Sequence, residues 1–280
     1  MLAEFIKQTI SFLQKTDIRV HETEIRQIIY EDNNPLSMTE MSADTYGRAS
    51  ISENYILVVI LFFSVLDGKV DMDFPHLEGK SYLKKYKELP KSNDDEIIHS
   101  QIFRILKALR NASIHSKTAF EVNSNILTCS YKTKKGTPIN IEITTTGLEL
   151  VFTIVLQLLS PIEDYRNQSL RRTYYDDIKS QTITFTDECE SSGLLNITNE
   201  IRLKRGVRYH IKNPTFIVGN GSVQITRIYH LDAETQLFQS CDYEIQIEGN
   251  QYIIPSEVLD SSNKVSLVEL TNWEIYSVVE

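Results

Sequence analysis

The spacing of apolar residues changes along the 280-residue chain, and this change constrains the fold more than any other feature. In roughly the first 160 residues, apolar residues mostly recur every three or four positions, which is the period of an amphipathic helix. From Gln181 onward, short runs alternate between apolar and polar residues, and turn signals such as Gly219-Asn220-Gly221 separate them. The sequence therefore predicts an α+β protein with two domains, the first helical and the second rich in β-strands.

A series of helices is predicted for the first 116 residues. The segment from Ile51 to Leu66 is apolar on nearly all sides, which predicts a central buried helix that ends at Asp67-Gly68. Asn93 and Asp94 offer N-caps for the longest of the helices. The predicted helices cover residues 2–15, 22–30, 51–66, 79–89 and 94–116, and residues 33–43 are predicted to form a loop.

A β-hairpin and two further helices are predicted next. Residues 120–131 and 138–143 alternate as strands do, and Lys134-Lys135-Gly136 supplies the turn between them. Thr144 can cap a helix that ends at Pro161, and residues 162–179 predict a connecting helix. We therefore place the first domain at residues 1–162, a connecting helix or linker at 163–180, and an antiparallel β sandwich or barrel at 181–280.

Composition and charge exclude several classes of protein. A net charge of −9 argues against a protein that coats nucleic acid with its whole surface. The longest apolar run, Ile56 to Val65, is far shorter than the roughly 20 residues of a membrane span. The N-terminus lacks the features of a signal peptide. Cys129, Cys189 and Cys241 are widely spaced and odd in number, as expected for reduced thiols. We therefore expect a cytoplasmic protein with no membrane contact.

Basic residues are concentrated in one part of this acidic chain. Between Arg104 and Lys135 there are seven basic residues and one acidic residue. Such a segment forms either a solvated face or a local phosphate-binding surface, and in the second interpretation Arg104, Lys107 and Lys117 are predicted to bind RNA. A second basic cluster, from Glu200 to Lys212, has two open interpretations, a solvated face or a nucleic-acid contact.

The basic segment also contains residues whose side chains can transfer protons and bind phosphate. Arg110 and Asn111 lie near the end of the long predicted helix, and His115 follows them. An imidazole can take up or release a proton at neutral pH, so His115 is a candidate general base or acid. A guanidinium stays charged and presents several donors to phosphate oxygens, so Arg110 is the candidate phosphate ligand. Asn111 can donate to the phosphate or orient the histidine.

The motif Arg110-Asn111-x-x-x-His115, with helices before it and a hairpin and a helix after it, resembles the signature of the HEPN superfamily. The resemblance covers residues 50–160 well and the first helices loosely, so residues 1–160 are expected to form a HEPN-like helical bundle with a β-hairpin insertion. It implies a metal-independent endoribonuclease, such as a bacterial toxin or an antiviral defence effector, that needs no cofactor. It also implies RNA as the substrate and a homodimer in which two motifs meet. An antitoxin or regulatory protein is a further possible partner.

Other interpretations of these residues remain open. A non-catalytic module could use the same pocket to bind a nucleotide, RNA or a partner protein, and a structural dimerisation domain would need neither Arg110 nor His115. In the plainest interpretation, Arg110 interacts with the helix dipole, Asn111 is a surface residue and His115 caps the helix. On an unbroken helix, Arg110 and His115 lie about 140° apart. Either the helix loosens before His115, or two subunits share the cleft.

Overall fold

The structure is a computed structural model that describes residues 2–13, 15–18, 24–31, 34–41, 51, 54–115, 120–160, 165–189, 193–198, 201–227 and 240–275. It contains both helices and sheets, which confirms the α+β class. The helices are α1 (Leu2–Leu13), α2 (Tyr55–Asp73), α3 (Tyr82–Glu88), α4 (Asp94–His115), α5 (Thr145–Leu159), α6 (Tyr165–Gln181) and α7 (Leu267–Leu270). The strands are β1 (Glu24–Glu31), β2 (Asn34–Met41), β3 (Phe120–Asn123), β4 (Ile126–Lys132), β5 (Pro138–Thr144), β6 (Thr182–Thr186), β7 (Val207–Lys212), β8 (Phe216–Gly219), β9 (Ser222–Ile225), β10 (Ser240–Ile247), β11 (Asn250–Pro255), β12 (Lys264–Ser266) and β13 (Glu274–Ile275).

The chain divides into two compact units, and each is discontinuous in sequence. Unit 1 comprises Met1–His21, Asp44–Pro161 and Tyr174–Asn199, and unit 2 comprises Glu22–Ala43, Ile162–Thr173 and Glu200–Glu280. The predicted boundaries at 162 and 181 treated each domain as one continuous stretch. In the structure, β1 and β2 belong instead with the C-terminal strands, and β6 belongs with the helices.

The interior of unit 1 lies among α2, α4 and α5. Phe62 of α2 stacks on Phe152 of α5 with ring centres 4.4 Å apart. Phe63 of α2 contacts Phe103 of α4 at 5.4 Å between ring centres. Each such aromatic pair contributes about 0.5–1.5 kcal/mol beyond the burial of its area. These contacts fix α4 against α2, and α4 carries the Arg110-Asn111 motif.

α2 is longer than the sequence predicted. The side chain of Asn54 caps its N-terminus, and the helix continues through Gly68 for a further turn. A glycine inside a helix is about 1 kcal/mol less favourable than alanine, but the burial of Val70 and its neighbours in the core outweighs that loss. The predicted end at Asp67-Gly68 is therefore wrong, and the additional turn keeps Asp67 and Asp71 on one helix.

The predicted hairpin is confirmed in part. Its second strand is β5, but the predicted first strand, residues 120–131, is divided by a turn at Ser124 and Asn125 into the antiparallel strands β3 and β4. Together with β6 these strands form a four-stranded antiparallel sheet in the order β3-β4-β5-β6. Alternate residues face the helices, so Leu127, Ile141 and Ile143 are buried while the residues between them are more exposed. Cys129 lies in the same buried row, and burial raises the pKa of its thiol to about 12. β6 had been predicted as part of the second domain, but it pairs with β5 and completes this sheet.

Unit 2 is built on a six-stranded sheet in the order β13-β11-β10-β7-β1-β2, and a three-stranded sheet in the order β12-β9-β8. The prediction of a purely antiparallel second domain is wrong, because β7 runs parallel to both β1 and β10. The other described pairings in unit 2 are antiparallel. The buried residues that form its core are Ile211, Val223, Ile225, Cys241, Tyr243, Ile245, Tyr252, Ile254, Val265 and Leu270.

Two predictions for the early part of the chain are also wrong. Residues 22–30 were predicted to be helical and 33–43 to be a loop, but these segments contain the antiparallel strands β1 and β2. The register between them shifts at Ile29/Tyr30, and such an irregularity breaks the alternation by which a strand is recognised. β1 is also paired with β7, far along the chain, and this partner is not visible in the local pattern.

Candidate functional site

The candidate site lies on the last turns of α4. One face of α4 is entirely buried and includes Ile98, Ile102 and Leu109. Arg110 and Asn111 follow directly and are only half-buried. The amphipathic pattern of the helix therefore brings both side chains of the predicted motif to the margin of unit 1, next to its core.

Two neighbours hold the guanidinium of Arg110. Its central carbon lies 5.2 Å from the centre of the Tyr82 ring on α3, within the range of a cation–π contact. Its Nη1 donates a hydrogen bond to Oδ1 of Asn111 at 3.3 Å. Among the described residues, this bond uses one of several N–H donors of the guanidinium, so Arg110 keeps hydrogen-bonding capacity for an anionic group.

An acidic side chain on α2, Asp67, lies close enough to this arginine for their charges to interact. Lys85 of α3 is buried, and its ammonium contacts Asp67 at 2.7 Å and Asp71 at 2.6 Å. Burial raises the pKa of the Asp67 carboxyl, while Lys85 and the more distant charge of Arg110 oppose that rise. Burial would lower the pKa of Lys85, but the hydrogen bonds and charges of the two carboxylates outweigh it and raise the pKa. The charge of Arg110 therefore acts on a carboxylate that is already paired with Lys85.

The hairpin supports the motif from another side. The hydroxyl of Tyr131, the penultimate residue of β4, donates to the carbonyl oxygen of Ala108 at 3.2 Å. The same hydroxyl forms a hydrogen bond with the side chain of Asn111. Burial raises the pKa of the Tyr131 phenol, and the Asn111 bond opposes that rise only in part. Asn111 thus connects Arg110 to the sheet.

His115 is the last residue of α4, and its side chain lies outside the described part of the structure, as does all of Lys117. The backbone of α4 is α-helical up to His115. Of the two geometries that the sequence left open, loosening of the helix is therefore not observed. On this regular helix, Arg110 and His115 lie about 140° apart around the axis and about 7.5 Å apart along it.

Arg104 and Lys107 do not lie on a surface that RNA could contact. The Arg104 side chain is fully buried, and its Nε and Nη2 donate to the carboxylate of Asp187 at 2.9 and 2.6 Å. The ammonium of Lys107, 2% exposed, contacts Glu188 at 2.7 Å. The predicted role in RNA binding therefore does not hold for these two residues, because their charges are neutralised inside unit 1. The acidic partners lie more than 80 positions away in sequence, beyond any local pattern.

The second basic cluster is also partly internal. Arg208 is fully buried and forms paired hydrogen bonds with Asp242 and with Glu257, the shortest being 2.7 and 2.6 Å. The pKa of Arg208 lies above its ordinary value, because these carboxylates outweigh the effect of burial. Lys204 and Arg205 are exposed. For Arg208 itself, neither the solvated-face nor the nucleic-acid interpretation holds.

Sequence reasoning missed the residues that surround Arg110. Tyr82, Asp67 and Lys85 come from two other helices, and only the folded chain brings them to α4. Tyr131 carried a usable signal, since it belongs to the alternating apolar row of β4 and its hydroxyl requires a partner when buried. That signal predicted burial of Tyr131 but not contact with the motif.

Comparisons with protein-family models, with curated proteins and with solved structures found no match for this chain. Among the described residues, no group of three or more His, Cys, Asp or Glu side chains is arranged to hold a metal ion. In the same part of the chain, no helix has the length and apolar character needed to cross a membrane. The chemistry of Arg110 and its neighbours is therefore the basis on which a function can be proposed.

Proposed function

We propose that this chain is a metal-independent endoribonuclease of the HEPN type, with a HEPN-like bundle in unit 1. One observation carries the proposal. Arg110 and Asn111 lie side by side at the margin of the core, and Tyr82 and Tyr131 fix them from two directions. A held guanidinium with unused donors is suited to bind a phosphodiester, because little conformational entropy is lost on binding.

The proposed reaction is transesterification of RNA. His115 removes the proton from a ribose 2′-hydroxyl while water protonates the departing 5′-oxygen, or His115 donates that second proton while water accepts the first. The 2′-oxygen forms a bond to phosphorus as the bond from phosphorus to the 5′-oxygen breaks. Arg110 stabilises the additional negative charge on the phosphate oxygens, and Asn111 orients Arg110. The products carry a 2′,3′-cyclic phosphate and a 5′-hydroxyl, and no metal enters the steps.

The regular geometry of α4 favours a cleft shared between two copies of the chain. Within one copy, Arg110 and His115 leave the helix in directions about 140° apart. A two-fold dimer that apposes the ends of two α4 helices allows Arg110 of one copy and His115 of the other to approach the same phosphate. We therefore include a homodimer in the proposal. A cytoplasmic toxin or antiviral defence effector, restrained by an antitoxin or regulatory protein, is the proposed biological role.

The first test incubates purified protein with RNA in the presence of EDTA. The proposal expects cleavage with cyclic-phosphate ends. His115→Ala should lower the rate by about 10²–10⁴-fold, and Arg110→Ala by about 10²–10³-fold. Lys87→Ala, an exposed residue of α3, is the matched control and should cleave normally. Intact RNA at every pH between about 5 and 9, a range that brackets the ordinary imidazole pKa of about 6.5, would reject the nuclease.

A second test addresses the shared cleft. Arg110→Ala and His115→Ala proteins, each inactive alone, are mixed and allowed to exchange subunits. If each site takes Arg110 from one copy and His115 from the other, heterodimers regain one intact site. Random exchange then restores about a quarter of wild-type activity. Mixtures that remain inactive although mass measurements show heterodimers would exclude this arrangement.

A second candidate function is a non-catalytic module that binds RNA, a nucleotide or a partner protein through the same residues. The observation that favours it is that the charge of Arg110 acts on the Asp67 carboxyl, so an acidic group lies close enough to weaken the attraction of Arg110 for a phosphate. In this case His115→Ala protein keeps both its ligand and its function in cells. A purely structural dimerisation domain would be unaffected by either Arg110→Ala or His115→Ala.

A further inference from the structure

The turn between β4 and β5 presents three exposed lysines. Lys132, Lys134 and Lys135 are all exposed, and within the described residues none of them forms an ion pair or a side-chain hydrogen bond. No acidic residue occurs from Tyr131 to Thr137. The tip of the hairpin therefore carries a concentrated positive charge that the described residues do not neutralise.

The turn holds a defined shape. The backbone amide of Thr133 donates to the carbonyl oxygen of Thr137 at 2.9 Å, and the amide of Gly136 donates to that of Thr133 at 2.9 Å. The hydroxyl of Thr133 accepts a further bond from the Thr137 amide at 3.2 Å. Gly136 has a φ of +82°, a conformation that favours glycine. The lysines thus extend from an ordered support.

This tip is tied to the motif helix. Tyr131 comes immediately before Lys132, and its hydroxyl bonds to Ala108 and Asn111 on α4. In a strand, two residues span about 7 Å, so the turn begins about that distance from the tyrosine. An RNA strand whose phosphate lies at Arg110 has further phosphates within reach of the tip. Arg104 and Lys107 cannot fill this role, because acidic partners enclose them.

We propose that Lys132, Lys134 and Lys135, which we call the lysine tip, bind the phosphate backbone of the single-stranded RNA substrate beside the cleavage site. This inference rests on the proposed nuclease function and assigns residues that bind its substrate. Lysine ammonium groups contact phosphates as point charges and read no base edge, so the lysine tip supplies affinity without sequence preference. Each phosphate contact releases condensed counterions from the RNA and makes binding salt-dependent.

The test measures binding separately from cleavage. The triple variant Lys132→Gln, Lys134→Gln, Lys135→Gln is made in the His115→Ala background, and anisotropy of a labelled single-stranded RNA follows binding from 50 to 200 mM salt (concentrations over which phosphate contacts dominate the salt effect). Loss of three contacts should weaken binding on the order of tenfold or more at the lowest salt. It should also reduce the slope of log K against log salt by about 2. The matched control replaces the exposed residues Lys7, Lys15 and Lys87 by Gln.

The possible outcomes separate this inference from the proposed function. If the tip variant keeps the RNA affinity and the salt slope of the parent, or if the control variant loses as much affinity, the proposed role of the lysine tip is wrong, even where the parent protein cleaves RNA. If the tip variant binds RNA more weakly but the parent protein does not cleave RNA, RNA binding by the lysine tip is supported and the nuclease function is rejected. In an active enzyme, the tip variant should raise KM and leave kcat within about twofold, since it does not touch the reacting atoms. Binding to phosphatidylserine vesicles that depends on the tip, with RNA binding unaffected, also overturns the inference.

Discussion

Arg104 and Asp187 are 83 positions apart in the chain, and their side chains meet inside unit 1 through two parallel hydrogen bonds of 2.9 and 2.6 Å. Neither side chain is exposed to solvent. The same carboxylate accepts a bond from the backbone amide of Cys189 at 2.9 Å. Nη1 of Arg104 donates to the carbonyl oxygen of Gly193 at 2.9 Å and to Oε1 of Gln101 at 3.2 Å. This pair ties the segment after β6 to α4, the helix that carries the motif.

Replacing Asp187 by Ala leaves the Arg104 guanidinium buried without its carboxylate. The free energy of unfolding should fall by about 3–5 kcal/mol, as for other broken buried ion pairs. Urea denaturation of the purified variant measures this loss. The control is Glu121→Ala on the exposed face of β3, which should change stability by less than about 0.5 kcal/mol. A loss below about 1 kcal/mol for Asp187→Ala would contradict the assigned role.

The Arg104 pair also predicts how stability depends on acid. Burial would raise the pKa of Asp187, but the bonds from Arg104 and the Cys189 amide outweigh it and lower the pKa. A carboxyl with a lowered folded-state pKa stabilises the fold fully above its ordinary value of about 3.9. It loses that contribution as pH falls through the lower folded-state value. The stability difference between wild type and Asp187→Asn should therefore be constant near pH 6 (about two units above the ordinary value) and shrink in acid.

Replacing Asp67 by Asn should strengthen RNA binding. The change removes a negative charge near Arg110 while Asp71 remains to pair with Lys85. In the His115→Ala background, we expect affinity for single-stranded RNA to rise about two- to tenfold, which corresponds to removal of one nearby like charge from the phosphate. Asp73→Asn, at the exposed end of α2, is the matched control. Equal affinities for Asp67→Asn and the parent would show that Arg110 does not contact RNA.

A side chain at position 147 in α5 would collide with its neighbours. A Cβ at this position would lie 2.8 Å from Cβ of Gln181 and 2.8 Å from Cγ1 of Ile143. Alanine favours helix by about 1 kcal/mol over glycine, but overpacking of a close contact costs about 1–3 kcal/mol. Gly147→Ala should therefore lower the melting temperature despite its better helix propensity. Thr146→Ala, one position earlier, should change it little, and a stabilised Gly147→Ala protein would disprove the close approach.

The helices that could be predicted from the sequence are marked by nearby capping residues and by the spacing of their apolar residues. The predicted helix 94–116 agrees with α4 to within one residue at the C-terminus. Asn93 and Asp94 mark the start of the helix, and an apolar stripe follows its length. α5 was predicted from Thr144, whose hydroxyl does accept a bond from the Gly147 amide at 3.0 Å. Capping residues and hydrophobic periodicity act over one or two turns, so a sequence shows them directly.

The parts that failed depend on distant partners. β1 pairs with β7 on one side and with β2 on the other, and neither the composition nor the spacing of β1 reveals the pairing with β7. Arg104 and Lys107 look like surface cations in the sequence, because Asp187 and Glu188 occur only much later. Tyr82 likewise reaches Arg110 through the packing of α3 on α4. Local patterns therefore located the motif but not its surroundings.

The parallel pairing of β1 with β7 joins Glu24 to Val207. On a ribosome, β1 and β2 emerge long before the strand that completes their sheet, so the nascent chain carries an unpaired edge for most of its synthesis. Contacts of such large sequence separation slow folding, because a long loop must close before they form. A fragment that ends after β6 would keep this open edge permanently, and we expect it to aggregate where the full-length chain remains monodisperse.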